Sequence, residues 1–418
     1  MNSPQYPTST QSVGTHLGRV APGSCDVFCN VIDNYGDIGV CWRLSRILVA
    51  EFDIPVRLWV DDLTSFVKLC PDADINAGQQ SCRGVELRLW DPSFPDVAPA
   101  KMVIAAFACK LPQGYLERMA ALQNKPVWIN LEYLSGEEWV ERCHKLPSPH
   151  PRLPLIKYFF FPGFNSNTGG LLLEQDIIAR RDAFQNDVNR QKAFWQGMGT
   201  DLPAGNTLKI SMFGYENHVL NRLFDCWTES SVPVVCLVPE SRILPQVRQY
   251  FGDFAAGASK VYSLGKLQVF VVPFVEQERY DEMLWACDIN FVRGEDSCVR
   301  AQLAARPFVW QIYPQHDAVH VKKLEEFLAK YCSQLTGPGS SAVHGLWRLW
   351  NSASDAKDIA ATDFAEAWAA FSAARSELDD RAALWAQQLA KNNLALNLLD
   401  FYQEIGKMRA FELEGLQS

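Results

Sequence analysis

Apolar runs rich in β-branched residues alternate with segments of helical period along most of the chain. In the first half the pattern predicts strands at residues 25–32, 56–62, 85–90, 102–107 and 126–134. Amphipathic segments lie between several of these strands, and residues 37–52 have the most regular helical spacing. Because strands alternate with helices, the pattern predicts a parallel, doubly wound sheet.

Residues 146–170 interrupt this alternation with a stretch dense in Pro, Gly, Ser and aromatic residues, which is typical of a boundary. Alternation then resumes, with strands predicted at residues 208–215, 232–239, 267–274, 288–294 and 307–314. From residue 341 onward the pattern is helical, Ala-rich and Trp-containing. The chain therefore contains two predicted α/β domains followed by helices.

The predicted organisation has four parts. They are a flexible extension at 1–23, a Rossmann-like domain at 24–206, a second Rossmann-like domain at 207–340, and helices at 341–418 that pack back toward the first domain. Two such domains facing across a cleft and linked by a helical tail are typical of the GT-B fold of glycosyltransferases. No glycine motif of a dinucleotide enzyme, a P-loop NTPase or an α/β-hydrolase is present.

Composition narrows the class of protein. The chain has 418 residues, of which 48% are hydrophobic, and this is enough for two compact domains. Its longest apolar runs fall far short of the roughly 20 residues that span a bilayer, and its first 23 residues lack the apolar core of a secretory signal. Its 12 cysteines show no metal-ligand spacing. We expect a cytoplasmic protein with free thiols and no membrane segment.

The net charge of -9 argues against a general nucleic-acid binder, because such a protein needs a basic surface to displace counterions. Any anionic ligand must therefore be held by a local site. Residues 290–315 offer one, since a predicted strand ends at Arg293 and a helix then opens with Glu295, Asp296 and Ser297. The free N–H groups of a helix start, together with Arg293 and the Ser297 hydroxyl, favour a diphosphate.

A second candidate site is the turn after the first strand, which contains Asp33 and Asp37. At the carboxyl end of a parallel strand, these side chains face the crevice where open α/β sheets bind ligands. From the pattern alone, Asp37 is more often a helix cap than a catalytic group, and Asp33 equally suits an Asx-turn. Phe213, Tyr215 and Phe274 lie at strand ends, where core packing is the ordinary role.

Several motifs carry a resemblance to a known family. They are NVIDNYGDIGVCWRL, NLEYLSGEEW, KYFFFPGF with TGGLL, FGYEN, and VRGEDSCVRAQLAARPFVWQIYPQ. Together they resemble the EarP family of bacterial protein-arginine rhamnosyltransferases, from about residue 25 to about residue 330. The resemblance implies a metal-independent, inverting GT-B enzyme that moves L-rhamnose from dTDP-β-L-rhamnose to an arginine of translation elongation factor P. It implies that the modified factor then rescues ribosomes stalled at polyproline.

The resemblance also implies roles for individual residues. Asp37 matches the proposed general base, Asp33 the second essential aspartate of that loop, and Glu295 a further essential acid. The residues that match the donor pocket for dTDP-rhamnose are Phe213, Tyr215, Phe274, Gln277, Arg293, Glu295, Asp296, Ser297 and Tyr313. Tyr35 stands where some members have Phe. No cofactor, metal, nucleic acid or membrane partner is implied.

Two other classes stay open. One is a GT-B enzyme with a different donor or acceptor, including an epimerase of free nucleotide-sugars. A protein acceptor needs a wide cleft in the first domain, and Glu132, Glu137 and Glu138 are expected to meet a basic partner there. The other class is a non-catalytic protein that docks on a translation factor. Retention of both Asp37 and Glu295 argues against it, because docking requires neither.

Overall fold

A computed structural model of the protein describes residues 21–32, 35–253, 260–314, 319–352 and 360–415. Most of the predicted extension at 1–23 lies outside these residues, as does Asp33. All 12 cysteines lie within them and are free thiols, as expected.

Within the described ranges, the first sheet has eight strands. They are β1 (Cys25–Cys29), β2 (Val56–Val60), β3 (Gln79–Cys82), β4 (Val85–Leu89), β5 (Met102–Ala106), β6 (Val127–Leu131), β7 (Pro147–Pro149) and β8 (Ile156–Phe160). Their order is β3-β4-β2-β1-β5-β6-β8-β7, with only the edge strands β3 and β7 antiparallel. The central strands β1, β5 and β6 are buried at every position, which is why they read as continuous apolar runs.

Four helices belong to this sheet: α1 (Gly36–Phe52), α2 (Leu63–Leu69), α3 (Gln113–Ala121) and α4 (Trp139–Cys143). Most of α1 is buried, because it packs against its own sheet on one side and against the second domain on the other. Its Trp42 and Ile47 belong to the first core. The helix ends at Asp53, which adopts a left-handed φ of 55°.

Two helices follow the first sheet, α5 (Ile177–Gln185) and α6 (Val188–Gly197). The prediction includes them in the first domain at 24–206. Their buried residues Ile177, Phe184, Phe194 and Trp195 instead join the core of the second sheet, and both helices contact its helices. Packing therefore places this segment with the second domain.

In the part of the chain that the structure describes, the second sheet has six strands: β9 (Leu208–Met212), β10 (Val234–Pro239), β11 (Val261–Leu264), β12 (Leu267–Val272), β13 (Ile289–Arg293) and β14 (Phe308–Gln311). Their order is β11-β12-β10-β9-β13-β14, and only β11 is antiparallel. The helices of this part are α7 (Leu220–Thr228), α8 (Leu244–Tyr250), α9 (Gln277–Ala286), α10 (Asp296–Leu303) and α11 (Val319–Tyr331). In both sheets the strands that follow the first strand are added on one side of it, and later strands are added on the other side. The strand order therefore reverses between β1 and β5 in the first sheet and between β9 and β13 in the second.

The C-terminal part is helical: α12 (Gly337–Trp350), α13 (Ala361–Ala373), α14 (Arg375–Leu389) and α15 (Leu394–Gly415). Residues of α12, α13 and α14 pack in the core of the second domain, whereas Leu398, Phe401 and Ile405 of α15 pack in the core of the first. The Asn393 side chain between them donates to the carbonyl of Leu173 at 2.9 Å. The helical segment thus links the two domains, and the predicted two-domain α/β architecture is confirmed.

Candidate active site

The candidate residues gather where the carboxyl ends of the central strands of the two sheets meet. Asp37 lies in the first turn of α1, directly after β1, and Arg293 ends β13 directly before α10. Phe213 follows β9, the neighbour of β13. Each sheet changes direction beside these strands, so the residues occupy the crevice that such sheets use for ligands.

Asp37 is buried, with 2% of its surface exposed, and it lies in the first turn of α1 and not at the N-cap position. The residue at the helix N-cap is Tyr35, which makes no side-chain cap. The Asp37 carboxylate accepts a hydrogen bond from the backbone N–H of Ile32 at 2.8 Å and another from the Tyr133 hydroxyl. These bonds fix the carboxylate at the edge of the crevice. Asp33, its predicted partner, lies outside the described residues.

Asp37 lines a cavity of about 870 Å³ of empty volume, which we call the acceptor-side cavity. Its wall includes Phe107 and Tyr133, whose rings stack at 4.3 Å with an angle of 17°. Phe107 has a φ of 54°, a strained conformation that is often found at functional sites. Burial raises the pKa of Tyr133, and the negative charge of Asp37 raises it further, so its hydroxyl stays a hydrogen-bond donor.

A second cavity of about 570 Å³, the donor-side cavity, adjoins the first. Seven of the nine predicted donor residues line it, namely Phe213, Phe274, Gln277, Arg293, Glu295, Asp296 and Ser297. Tyr35 and Tyr280 complete its aromatic wall, because the rings of Tyr35 and Phe274 are 4.6 Å apart and those of Phe213 and Tyr280 are 5.6 Å apart. An aromatic wall of this kind suits a nucleobase.

The other two predicted donor residues lie beside the donor-side cavity. Tyr215 is buried behind Arg293, and Tyr313 lines the acceptor-side cavity with 40% of its surface exposed. The Arg293 guanidinium is held between two rings, with its carbon 4.7 Å from the centre of Phe213 and 4.4 Å from that of Tyr215. This stacking directs a fixed positive charge toward the start of α10.

Hydrogen bonds stabilise the conformation of the turn between β13 and α10. Gly294 has a φ of 60°, which favours glycine, and its carbonyl accepts a hydrogen bond from the Trp310 indole at 2.7 Å. The Ser297 hydroxyl accepts from the N–H of Arg293 at 3.1 Å and donates to the carbonyl of the same residue. The hydroxyl expected to bind the donor is therefore engaged within the turn.

Glu295 lies where the two cavities meet. One of its carboxylate oxygens accepts a hydrogen bond from the backbone N–H of Leu134, in the opposite domain, at 2.9 Å. Burial, together with the negative charges of Asp37 and Asp296, raises the pKa of Glu295 to about 8 against the lowering effect of that bond. Glu295 is therefore largely protonated at pH 7. Gly36, Gly294 and Glu295 line both cavities, so the two form one continuous site.

Other predicted side chains are engaged across the domain interface. The Gln277 amide donates to the carbonyl of Gly39 at 2.8 Å, and the Asp296 carboxylate accepts from Arg43 at 3.1 Å. Among the acids expected to meet a basic partner, Glu138 is exposed, whereas Glu137 is buried and accepts from Ser135.

Neither a metal-binding cluster nor a membrane-spanning helix is found among the described residues. No group of three His, Cys, Asp or Glu side chains in the described ranges is arranged to hold a metal ion. None of the helices in that part of the chain combines the length and apolarity that a bilayer span requires.

Comparison with known proteins identifies the family. Residues 25–403 match the family model described as Elongation-Factor P (EF-P) rhamnosyltransferase EarP. The chain belongs to the EarP family. A protein-arginine rhamnosyltransferase of Pseudomonas putida is 48% identical over 379 residues, which cover 90% of this chain and 98% of that relative.

Solved structures agree with the family match. One is described as the structural basis for EarP-mediated arginine glycosylation of translation elongation factor EF-P. It is 37% identical, with a TM-score of 0.63, and the match covers 91% of this chain and 98% of that one. The structure of MurG from Acinetobacter baumannii, at 10% identity and a TM-score of 0.50, shares the fold alone. The predicted EarP resemblance and GT-B fold are confirmed, and the EarP match extends through most of the helical tail.

Sequence reasoning missed several residues that line or adjoin these two cavities. Tyr133, Phe107 and Tyr280 line the two cavities, and Arg43 binds Asp296. No decisive signal existed in the sequence even for Arg43, because it lies among Trp42, Leu44 and the polar Ser45, and adjacent residues of a helix point to different faces.

Proposed function

We propose that this protein transfers L-rhamnose from dTDP-β-L-rhamnose to a guanidinium nitrogen of one arginine in translation elongation factor P, with inversion at the anomeric carbon. Membership of the EarP family supports the acceptor and the sugar. The observation that supports the proposed reaction is the continuous site formed by the two cavities. Asp37 lines one cavity, Arg293 lines the other, and Glu295 lines both.

The donor occupies the donor-side cavity in this proposal. The thymine lies against the aromatic wall formed by Phe213 and Phe274, and the diphosphate lies at the start of α10, near Arg293. The backbone N–H groups of that helix start and the guanidinium then stabilise the charge of the leaving dTDP. The sugar is directed toward Glu295, where the two cavities meet.

The acceptor arginine enters from the other side. The mouth of the acceptor-side cavity exposes large apolar side chains, with Ile32 64%, Tyr133 38% and Tyr313 40% exposed, and such a surface suits a protein partner. The stacked rings of Phe107 and Tyr133 offer a flat surface on which a guanidinium can lie. The Asp37 carboxylate, which lines the same cavity, supplies an acceptor for its N–H groups.

The reaction is a single displacement. A guanidinium nitrogen forms a bond to the anomeric carbon while the bond from that carbon to the diphosphate oxygen breaks, and the electron pair leaves with dTDP. The proton on the attacking nitrogen passes to Asp37. Arginine needs this help because its guanidinium is protonated and its lone pairs are delocalised. The Tyr133 hydroxyl keeps the Asp37 carboxylate in place.

Intact-mass analysis of purified elongation factor P tests the proposal. Incubation with this protein and dTDP-β-L-rhamnose is expected to add the mass of one rhamnosyl group to the factor. Asp37→Asn is expected to abolish the addition while leaving the affinity for dTDP within about threefold. Folded wild-type protein that binds both substrates and leaves the mass unchanged would refute the proposed function.

A further inference from the structure

Five charged side chains form a buried cluster between the two domains, beside the donor-side cavity. They are Arg43 from α1, Glu174 from the segment that connects the domains, Asp281 from α9, and Asp296 and Arg300 from α10. We call this group the interface cluster. Arg43, Asp281 and Arg300 are each no more than 1% exposed. Charges buried this deeply need partners, and each side chain in the cluster supplies one to another.

The guanidinium groups of Arg43 and Arg300 have different hydrogen-bond partners. Arg300 binds Asp281 through two bonds of 2.8 and 2.7 Å, and it donates to Glu174 at 2.8 Å. Arg43 donates to Glu174 at 2.7 Å and approaches Asp281 at 3.4 Å. Arg43 also reaches Asp296 through its Nε at 3.1 Å, and no hydrogen bond joins Arg300 to Asp296 among the described residues. Arg43 is therefore the link between the cluster and the donor-side cavity.

Arg43 remains protonated despite its burial. Burial alone would lower its pKa, but the carboxylates of Asp296, Asp281 and Glu174 outweigh this and hold the pKa well above its ordinary value. With two cations and three anions, the cluster has an excess of one negative charge when all five groups are ionised. Removing Arg43 would leave Asp296 as an uncompensated charge at the edge of a cavity that receives a diphosphate.

The contacts of Asp296 point away from a ligand. Both of its carboxylate oxygens face Arg43, at 3.1 and 3.5 Å, and one also lies 3.4 Å from the Gln277 amide. The same amide donates to the backbone carbonyl of Gly39. The carboxylate expected to hold the donor is thus directed to α1, although its residue begins α10.

We propose that Arg43 is a positioning residue for rhamnosyl transfer, which acts by holding Asp296 and thereby fixing the first turn of α10 against α1. This inference rests on the proposed function. Helix α1 carries Asp37 on the acceptor side, and α10 begins at the turn that receives the diphosphate. The pair Arg43 and Asp296 therefore sets the distance between the base and the leaving group. Asp296 contributes to transfer through this alignment.

A double-mutant cycle tests the inference. Arg43→Lys keeps the buried charge but loses the planar fork, and Asp296→Asn removes the charge of its partner. Each single variant is expected to slow transfer at saturating donor by about 10- to 100-fold, because a misplacement of about 1 Å at the reacting groups can cost about 100-fold. The affinity for dTDP is expected to stay within about threefold, because Phe213 and Arg293 are untouched. The double variant is expected to be no slower than the slower single variant.

A matched control uses a different ion pair across the same interface. Arg83 contacts Glu276 and Glu278, and all three side chains are about one-third exposed. Arg83→Ala is expected to leave the transfer rate within about twofold of the wild type, because exposed pairs contribute little. Thermal unfolding of every variant shows whether it is folded at the assay temperature.

The measurements distinguish alignment of α10 by Arg43 from direct binding of the donor by Asp296. If the losses in the double variant multiply, Arg43 and Asp296 act independently and the inference is overturned. If Asp296→Asn weakens dTDP-rhamnose binding more than tenfold at an unchanged saturated rate, Asp296 binds the donor itself, which also overturns the inference. If Arg43→Lys does not fold, Asp296→Asn alone decides between a slowed rate and a weakened affinity. An inactive wild type would count against the proposed function, whereas an active wild type with independent losses counts against this inference alone.

Discussion

Raising the pH from 7 to 9 is expected to weaken donor binding by about tenfold, through the ionisation of Glu295. This side chain lines the donor-side cavity, and burial together with the charges of Asp37 and Asp296 raises its pKa to about 8. A neutral carboxyl group tolerates a diphosphate beside it, and a carboxylate repels one. Bound donor should therefore favour the protonated form of Glu295.

The size of the effect follows from that pKa. About nine-tenths of the Glu295 side chains are protonated at pH 7 and about one-tenth at pH 9. If only the protonated form binds the donor well, the apparent Kd rises by about tenfold over this interval, or about 1.4 kcal/mol. The same raised pKa means that Glu295 contributes stability that is present below its ordinary pKa and is lost as the pH rises through about 8.

Calorimetric titration with dTDP-β-L-rhamnose, without the acceptor, measures this directly, because the diphosphate diester of the donor does not itself titrate near pH 8. Glu295→Gln is expected to bind with nearly the same affinity at pH 7 and pH 9. Glu51→Gln is the control, since Glu51 also has a raised pKa, of about 7, but does not line either cavity. A wild-type affinity that is constant between pH 7 and 9, or a slope that survives in Glu295→Gln, would refute the reasoning.

Three further predictions concern other parts of the molecule. Tyr133→Phe should slow transfer by about 10- to 100-fold in single-turnover assays, because a hydrogen bond to the charged Asp37 contributes about 1.5–3 kcal/mol; an unchanged rate would contradict this. Asp26→Ala should lower the free energy of unfolding in urea by about 3–5 kcal/mol, since buried Asp26 binds Arg57 and Tyr115; a loss below about 1 kcal/mol would contradict it. A chelator should leave the transfer rate within about twofold, because Arg293 and helix N–H groups replace a metal; loss of activity that Mg²⁺ restores would contradict it.

The sequence predicted the parallel core of both sheets because buried strands are continuous apolar runs. Strand β8 was missed, since its residues lie inside a Pro-rich stretch that has the composition of a boundary. The antiparallel edge strands β3, β7 and β11 were missed for a related reason, as their alternate residues are exposed or polar. The attachment of α5 and α6 to the second domain depends on contacts distant in sequence, which local patterns do not contain.

The site was predictable where a residue sits at the end of a strand. Asp37 and Arg293 occupy such positions, and the two-domain fold brings them to one crevice. Asp296 and Gln277 were predicted as donor ligands, and local patterns could not indicate that their side chains bind α1 across the interface. Tyr133 is 96 residues from Asp37 by subtraction of their numbers, so only the folded chain reveals that its hydroxyl serves this carboxylate.

The central claim is that acceptor and leaving group lie on opposite faces of the sugar, one in each cavity. The anomeric configuration of the rhamnosyl-arginine, read by NMR of modified elongation factor P made with dTDP-β-L-rhamnose, tests this most directly. A single displacement with Asp37 as base predicts the α-linked product. A β-linked product would mean that configuration is retained, and it would contradict the account.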